Sequence, residues 1–116
     1  SIINVVYPVR KGGKIDMVFG ETRDGVVADK LRIPVVKDMT GAGWTVVLVI
    51  SDRKDATVLI DSLSGTVYSA TAVDVGYTNL AIVPDTYIYT LWGTKGGVST
   101  PLQWGEVAVK RFPTPA

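Results

Sequence analysis

The chain has 116 residues, 47% apolar and 20% charged, with 12 basic against 11 acidic side chains and a formal net charge of +1. That length folds as one domain burying roughly two-thirds of its unfolded surface. The apolar content excludes general disorder, and the charge balance sets up no field to draw in nucleic acid or anionic lipid. Cysteine and histidine are absent, which excludes disulfides, thiolate metal sites, thiol catalysis and the commonest general base.

Valine, isoleucine and threonine supply about a third of the chain. These β-branched side chains fit a pleated strand better than a helix. Turn chemistry recurs at Gly12-Gly13, Asp24-Gly25, Gly41-Ala42-Gly43, Ser64-Gly65, Gly76, Pro84-Asp85 and Gly96-Gly97. Strand-sized segments punctuated in this way predict an all-β sandwich or barrel. Residues 2–9 form the first predicted strand, and Gly12-Gly13 turns it tightly into a second at 15–19. Residues 30–37 alternate, with Leu31, Ile33 and Val35 inward, and Pro34 places that strand at a sheet edge because it cannot donate to a ladder. Residues 44–50 are apolar on both faces, as a central or covered strand requires. A polar hairpin turn at 51–55 leads to strands at 56–60 and 66–72. Residues 74–83 hold at most one short turn joining the sheets. Residues 86–92 place Tyr87, Tyr89 and Leu91 on one face. Pro101 and Gly105 predict a bend or bulge in the last strand, 99–111. The tail, residues 112–116, is extended. The result is a mostly antiparallel, two-sheet sandwich of about seven strands. Its core is Leu31, Ile33, Trp44, Val46, Leu48, Ile50, Tyr87, Tyr89, Leu91, Val107 and Val109. The longest apolar run, residues 46–50, is far too short to span a bilayer, and residues 1–7 lack the basic start of a signal peptide.

The chemistry candidates each have a plain structural reading beside them. Arg10-Lys11-Gly12-Gly13-Lys14 resembles a phosphate cradle, but its strand-like flanks fit a basic hairpin tip better than a P-loop. Asp52, Asp55 and Asp61 lack the ligand spacing of a calcium loop, so no metal and no cofactor are expected. Trp44, Trp92 and Trp104 could form a stacking platform for sugars or single-stranded nucleic acid, or fill the core. Trp92 and Trp104 lie near predicted strand ends, where a ring can be exposed. No spacing supports a serine nucleophile with a base, and Glu106 takes an outward strand position. No enzymatic activity is expected.

Residues 87–92, Tyr-Ile-Tyr-Thr-Leu-Trp, are followed by Gly96-Gly97-Val98 and by Leu102-Gln103-Trp104-Gly105-Glu106-Val107-Ala108-Val109. This half resembles small virion proteins of tailed bacteriophages, which carry a Tyr-x-Tyr-x-Leu strand, a glycine turn and an apolar-x-x-Gly-x-Val-x-Val strand. Lys11-Gly12-Gly13, Asp24-Gly25 and Asp38-Met39-Thr40-Gly41 resemble turns of the same proteins, so the likeness covers about residues 11–110. Thr90 stands where aspartate is common, and residues 26–36 are longer than the pattern. The resemblance implies an immunoglobulin-like β-sandwich. It also implies a structural role in the virion, assembled in the host cytoplasm, as a capsid decoration or cement protein binding other virion proteins. Because no fibre or receptor-binding segment follows the sandwich, decoration is the expected role. A minor baseplate or tail-fibre attachment component is the alternative, and a carbohydrate-binding module stands behind both.

The expected partner contacts are at the chain ends, with residues 1–8 as a docking arm. Ile2, Ile3, Val5, Val6 and Tyr7 make both faces of that segment apolar, which an end strand with one face in water does not need. A virion protein or a second copy could cover it by strand addition, with Phe112 as a second anchor. The competing reading is that the segment completes the sandwich and Phe112 packs back on it. Neither nucleic acid nor membrane is an expected partner.

Overall fold

The computed structural model describes residues 2–4, 13–19, 22–23, 26–27 and 30–111, with side chains for 14–19 and 30–111. The described chain is all β. The strands are β1 (Ile2–Asn4), β2 (Gly13–Phe19), β3 (Thr22–Arg23), β4 (Val26–Val27), β5 (Lys30–Pro34), β6 (Thr45–Ser51), β7 (Leu59–Ser69), β8 (Ala72–Gly76), β9 (Asp85–Lys95) and β10 (Val98–Arg111). Eight of them form one sheet in the order β1-β5-β8-β7-β6-β9-β10-β2, and β3 and β4 pair separately. In the large sheet β1 runs parallel to β5 and β2 parallel to β10, and every other ladder is antiparallel.

The sheet bends back on itself because β7 belongs to two halves. Its first part pairs with β6, from Ser51↔Leu59 to Val46↔Gly65, and its second with β8, from Gly65↔Val75 to Ser69↔Ala72. Gly65 sits at the crossing. The two halves face each other across one core: Leu31, Ile33, Val73 and Val75 from β5 and β8 meet Ile15, Met17, Leu48, Tyr89, Leu91 and Val107 from the other half. Side-chain hydrogen bonds between described residues span the gap. Gln103 Nε2 on β10 donates to Pro34 O on β5 (2.6 Å), and Tyr77 Oη beyond β8 donates to Val18 O on β2 (3.0 Å). The architecture is therefore an immunoglobulin-like sandwich with one strand shared between its layers. A further hallmark of that fold is present at the entry to β9, where Tyr87 Oη donates to Val83 O at 2.6 Å, a tyrosine corner. Removing that hydroxyl in Tyr87→Phe should lower stability by about 1 kcal/mol. Urea titration reads this as a lower midpoint with an unchanged slope.

Period-2 alternation explains most of the core. Leu31, Ile33 and Val35 are buried, as are Val46, Leu48, Ile50, Tyr87, Tyr89, Leu91, Val107 and Val109. Trp44 departs from that set. It precedes β6 and is only partly buried against the core. The bulge at Pro101 is present, since the β9–β10 register shifts between Pro101 and Gln103, while Gly105 stays in regular pairing with Tyr89.

Four local expectations are corrected. Gly12-Gly13 does not close a hairpin between β1 and β2, because those strands lie at opposite ends of the sheet order and each pairs in parallel elsewhere; a tight turn joins only antiparallel neighbours. Ser64-Gly65 does not end a strand but lies inside β7. The strand expected at 56–60 begins at Leu59, because Asp55 organises residues 55–58 as a turn, with Val58 N donating to Asp55 O (3.0 Å). Pro34 is not on the outermost strand. β1 lies outside β5 but reaches only Arg32, so no ladder donor is required of Pro34 on that side.

Candidate partner-binding surfaces

Ile2 and Ile3 lie in β1, in register with Lys30 and Leu31 of β5, so one side of their backbone is taken up within the chain. Val5, Val6, Tyr7 and Phe112 lie outside the described residues, as do Arg10, Lys11, Gly12 and the tail at 112–116. Gly13 and Lys14 open β2 opposite Gly105 and Glu106, which makes this end of the basic motif a strand rather than a phosphate loop.

The aspartates of the 52–61 region have local partners. Asp55 Oδ1 accepts Thr57 N (3.0 Å) and Thr57 Oγ1 (2.6 Å), and these bonds hold its carboxyl below the usual range. Asp61 lies on β7 opposite Ile50. Among the described residues, no group of three acidic side chains is placed to hold a metal ion. No described helix is long and apolar enough to cross a membrane.

The tryptophans divide between roles. Trp44 Nε1 donates to Thr40 O (3.4 Å), and Lys95 Nζ lies 5.5 Å from its ring centre. Trp92 and Trp104 share the outer face of the β6-β9-β10 layer. Their rows in the sheet are Val47–Trp92–Pro101 and Val49–Thr90–Trp104, so the two indoles are diagonal neighbours. Ile88 continues the face toward Glu106. Trp104 is 41% exposed, while Val47, Val49, Ile88 and Trp92 are half-buried. The face is apolar and hydroxyl-bearing, and suits docking or ring stacking.

The outer face of the other layer is polar and locked. Arg32 on β5 makes two bonds to the Asp74 carboxylate on β8 (2.8 and 3.0 Å). The Tyr68 ring lies 3.4 Å from the guanidinium carbon. The Asp74 bond raises the Arg32 pKa further. A shallow hollow of about 490 Å³ is lined by residues 78–84 and Arg111. Its one charged group is occupied, with Arg111 Nη2 donating to Leu80 O and Ile82 O (2.9 and 3.3 Å) and the guanidinium 4.0 Å from the Phe19 ring centre.

Sequence reasoning missed one surface. From Leu59 to Ser64, β7 pairs only with β6, and no described residue pairs with its other side. Val58, Leu59 and Ile60 at its start are 46%, 62% and 39% exposed. A run of three exposed apolar residues beside a hairpin was the available signal, but reading 56–60 and 66–72 as separate strands hid the shared edge.

No known protein family matches the chain, and neither does any curated protein, so the likeness to virion proteins rests on the residues that carry it.

Proposed function

We propose that this chain is a non-enzymatic structural protein of a tailed-phage virion, a capsid decoration or cement protein that docks on other virion proteins. The observation that carries the docking role is the outer face of the β6-β9-β10 layer, where Trp104 is 41% exposed beside Val47, Val49, Ile88 and Trp92. A sheet face of that composition leaves apolar area in water that a partner would cover. The strand and turn pattern of residues 11–110 supplies the virion setting. Peptide mass spectrometry of purified phage fractions tests the reading. The protein is expected in tail-less capsids, in many copies per particle. Recovery only with tails would make it the baseplate or tail-fibre attachment component instead. Absence from both fractions would overturn a virion role.

The diagonal placement of Trp92 and Trp104 on one face favours a second reading, a glycan platform. It predicts indole fluorescence changes on titration with oligosaccharides. Unchanged emission at millimolar sugar would exclude it.

A further inference from the structure

Resting on that docking role, we propose that the edge of β7 left unpaired among the described residues, Leu59–Ser64, is the seam where an extended segment of a partner virion protein adds as a strand, with a basic side chain of that segment meeting Asp61. The edge itself dictates the class of occupant. Unpaired strand N–H and C=O groups are matched by another extended backbone. One of these groups is engaged by a side chain: Ser62 N donates to the Asp61 carboxylate at 2.7 Å. Backbone groups alternate in direction along a regular antiparallel stretch, so the N–H of Ser64 faces the same way as that of Ser62, while the register shift at Ile60 ends the regular stretch. The Asp61 carboxylate thus stands in for a neighbouring strand's carbonyl. An incoming strand would take over the Ser62 N–H and release that carboxylate.

Charge then narrows the partner. Between Asp55 and Asp74 the only charged residue is Asp61. The seam therefore presents one negative charge flanked by apolar and hydroxyl side chains, with Val58, Leu59 and Ile60 exposed at one end. A complementary strand carries a lysine or arginine opposite Asp61 and apolar residues toward the Leu59 end. A second copy of the chain fits less well, since antiparallel self-pairing centred on Asp61 sets carboxylate against carboxylate, and like charges directly opposite destabilise a sheet. The competing role for Asp61 is a guard, since inward-pointing charges on edge strands discourage pairing.

Hydrogen exchange of the protein on purified particles, compared with the free protein, tests the seam. The amides of Ser62 and Ser64 should exchange at least tenfold more slowly on the particle. Asp61→Lys should reduce particle occupancy at least tenfold and Asp61→Asn less. Ser62→Pro should abolish binding with an unchanged circular dichroism spectrum, because that N–H does not serve the β6 ladder. If Ser62→Pro unfolds the domain, the wild-type exchange result decides alone. Unprotected edge amides on a protein that is present in particles would overturn the seam and leave the virion role standing. Normal occupancy of Asp61→Lys, or edge protection arising from dimers of the free protein, would also overturn it. Absence of the protein from particles would remove the virion role and the seam together.

Discussion

Substituting Gly65 with alanine should lower stability by about 2–3 kcal/mol, the usual range for overpacking a close contact. For a domain of this size that is a fall in Tm on the order of 10 °C. The sign is opposite to the propensity rule, by which alanine in place of a strand-interior glycine normally stabilises. The reason is the crossing of β7 between the layers. A Cβ on Gly65 would stand 2.9 Å from Asp74 O and 3.1 Å from both Val46 Cγ1 and Val75 Cγ2. The carbonyl belongs to β8, whose ladders to β5 and β7 both include Asp74, so it cannot retreat without disturbing two pairings. Gly93→Ala is the control. Its Cβ would meet Leu102 Cδ1 at 3.0 Å and Trp44 Cζ3 at 3.2 Å, which are side-chain atoms that can shift. Urea unfolding of the two variants should separate them clearly. Equal stability of Gly65→Ala and wild type would mean that the β7 crossing is looser than its backbone contact implies.

A carboxylate at position 103 should be more damaging still at neutral pH. Gln103 is fully buried, its Nε2 donates to Pro34 O at 2.6 Å, and its Oε1 meets no hydrogen-bond partner among the described residues. In Gln103→Glu the donor is lost, and at pH 7 an unpaired charge would face the Pro34 carbonyl. Uncompensated buried charges cost about 3–5 kcal/mol. Burial raises the pKa of such a group in the folded state above its unfolded value of roughly 4.3. Below that unfolded value the side chain is protonated in both states and adds no charge penalty. The penalty grows as pH rises and is complete above the folded-state pKa. The stability gap between wild type and Gln103→Glu should therefore widen from pH 4 to pH 7. Gln103→Leu should show a smaller gap of about 1–2 kcal/mol that does not change with pH, since it leaves only the Pro34 carbonyl unpaired. A pH-independent gap for the glutamate variant would show that position 103 reaches water.

Particular residues mark how far the sequence alone reaches. The alternation of Leu31, Ile33 and Val35, and of Tyr87, Tyr89 and Leu91, determined strand and inward face together, because side-chain direction along a strand follows a local period of two. The β-branched composition determined the class, and Pro101 the irregularity in the last strand. That one of the later tryptophans is exposed was also legible, and Trp104 is the one, although it lies in the middle of β10 and not near a strand end. Pairing was not. Any strand's backbone can bond to any other's, so the parallel placement of β1 on β5 and β2 on β10 depends on which edges the folded core leaves open. Gly65 reads locally as a break and proves to be a corner, because what decides its role is the Asp74 carbonyl beside it, nine residues away in the chain. The same holds for Gln103, a polar residue in an apolar stretch until Pro34 O is brought to it from the opposite layer. No described residue pairs with the outer side of Leu59–Ser64 because β7 passes from β6 to β8 at Gly65, and tertiary crossing of that kind leaves no periodic trace in the residues that make it.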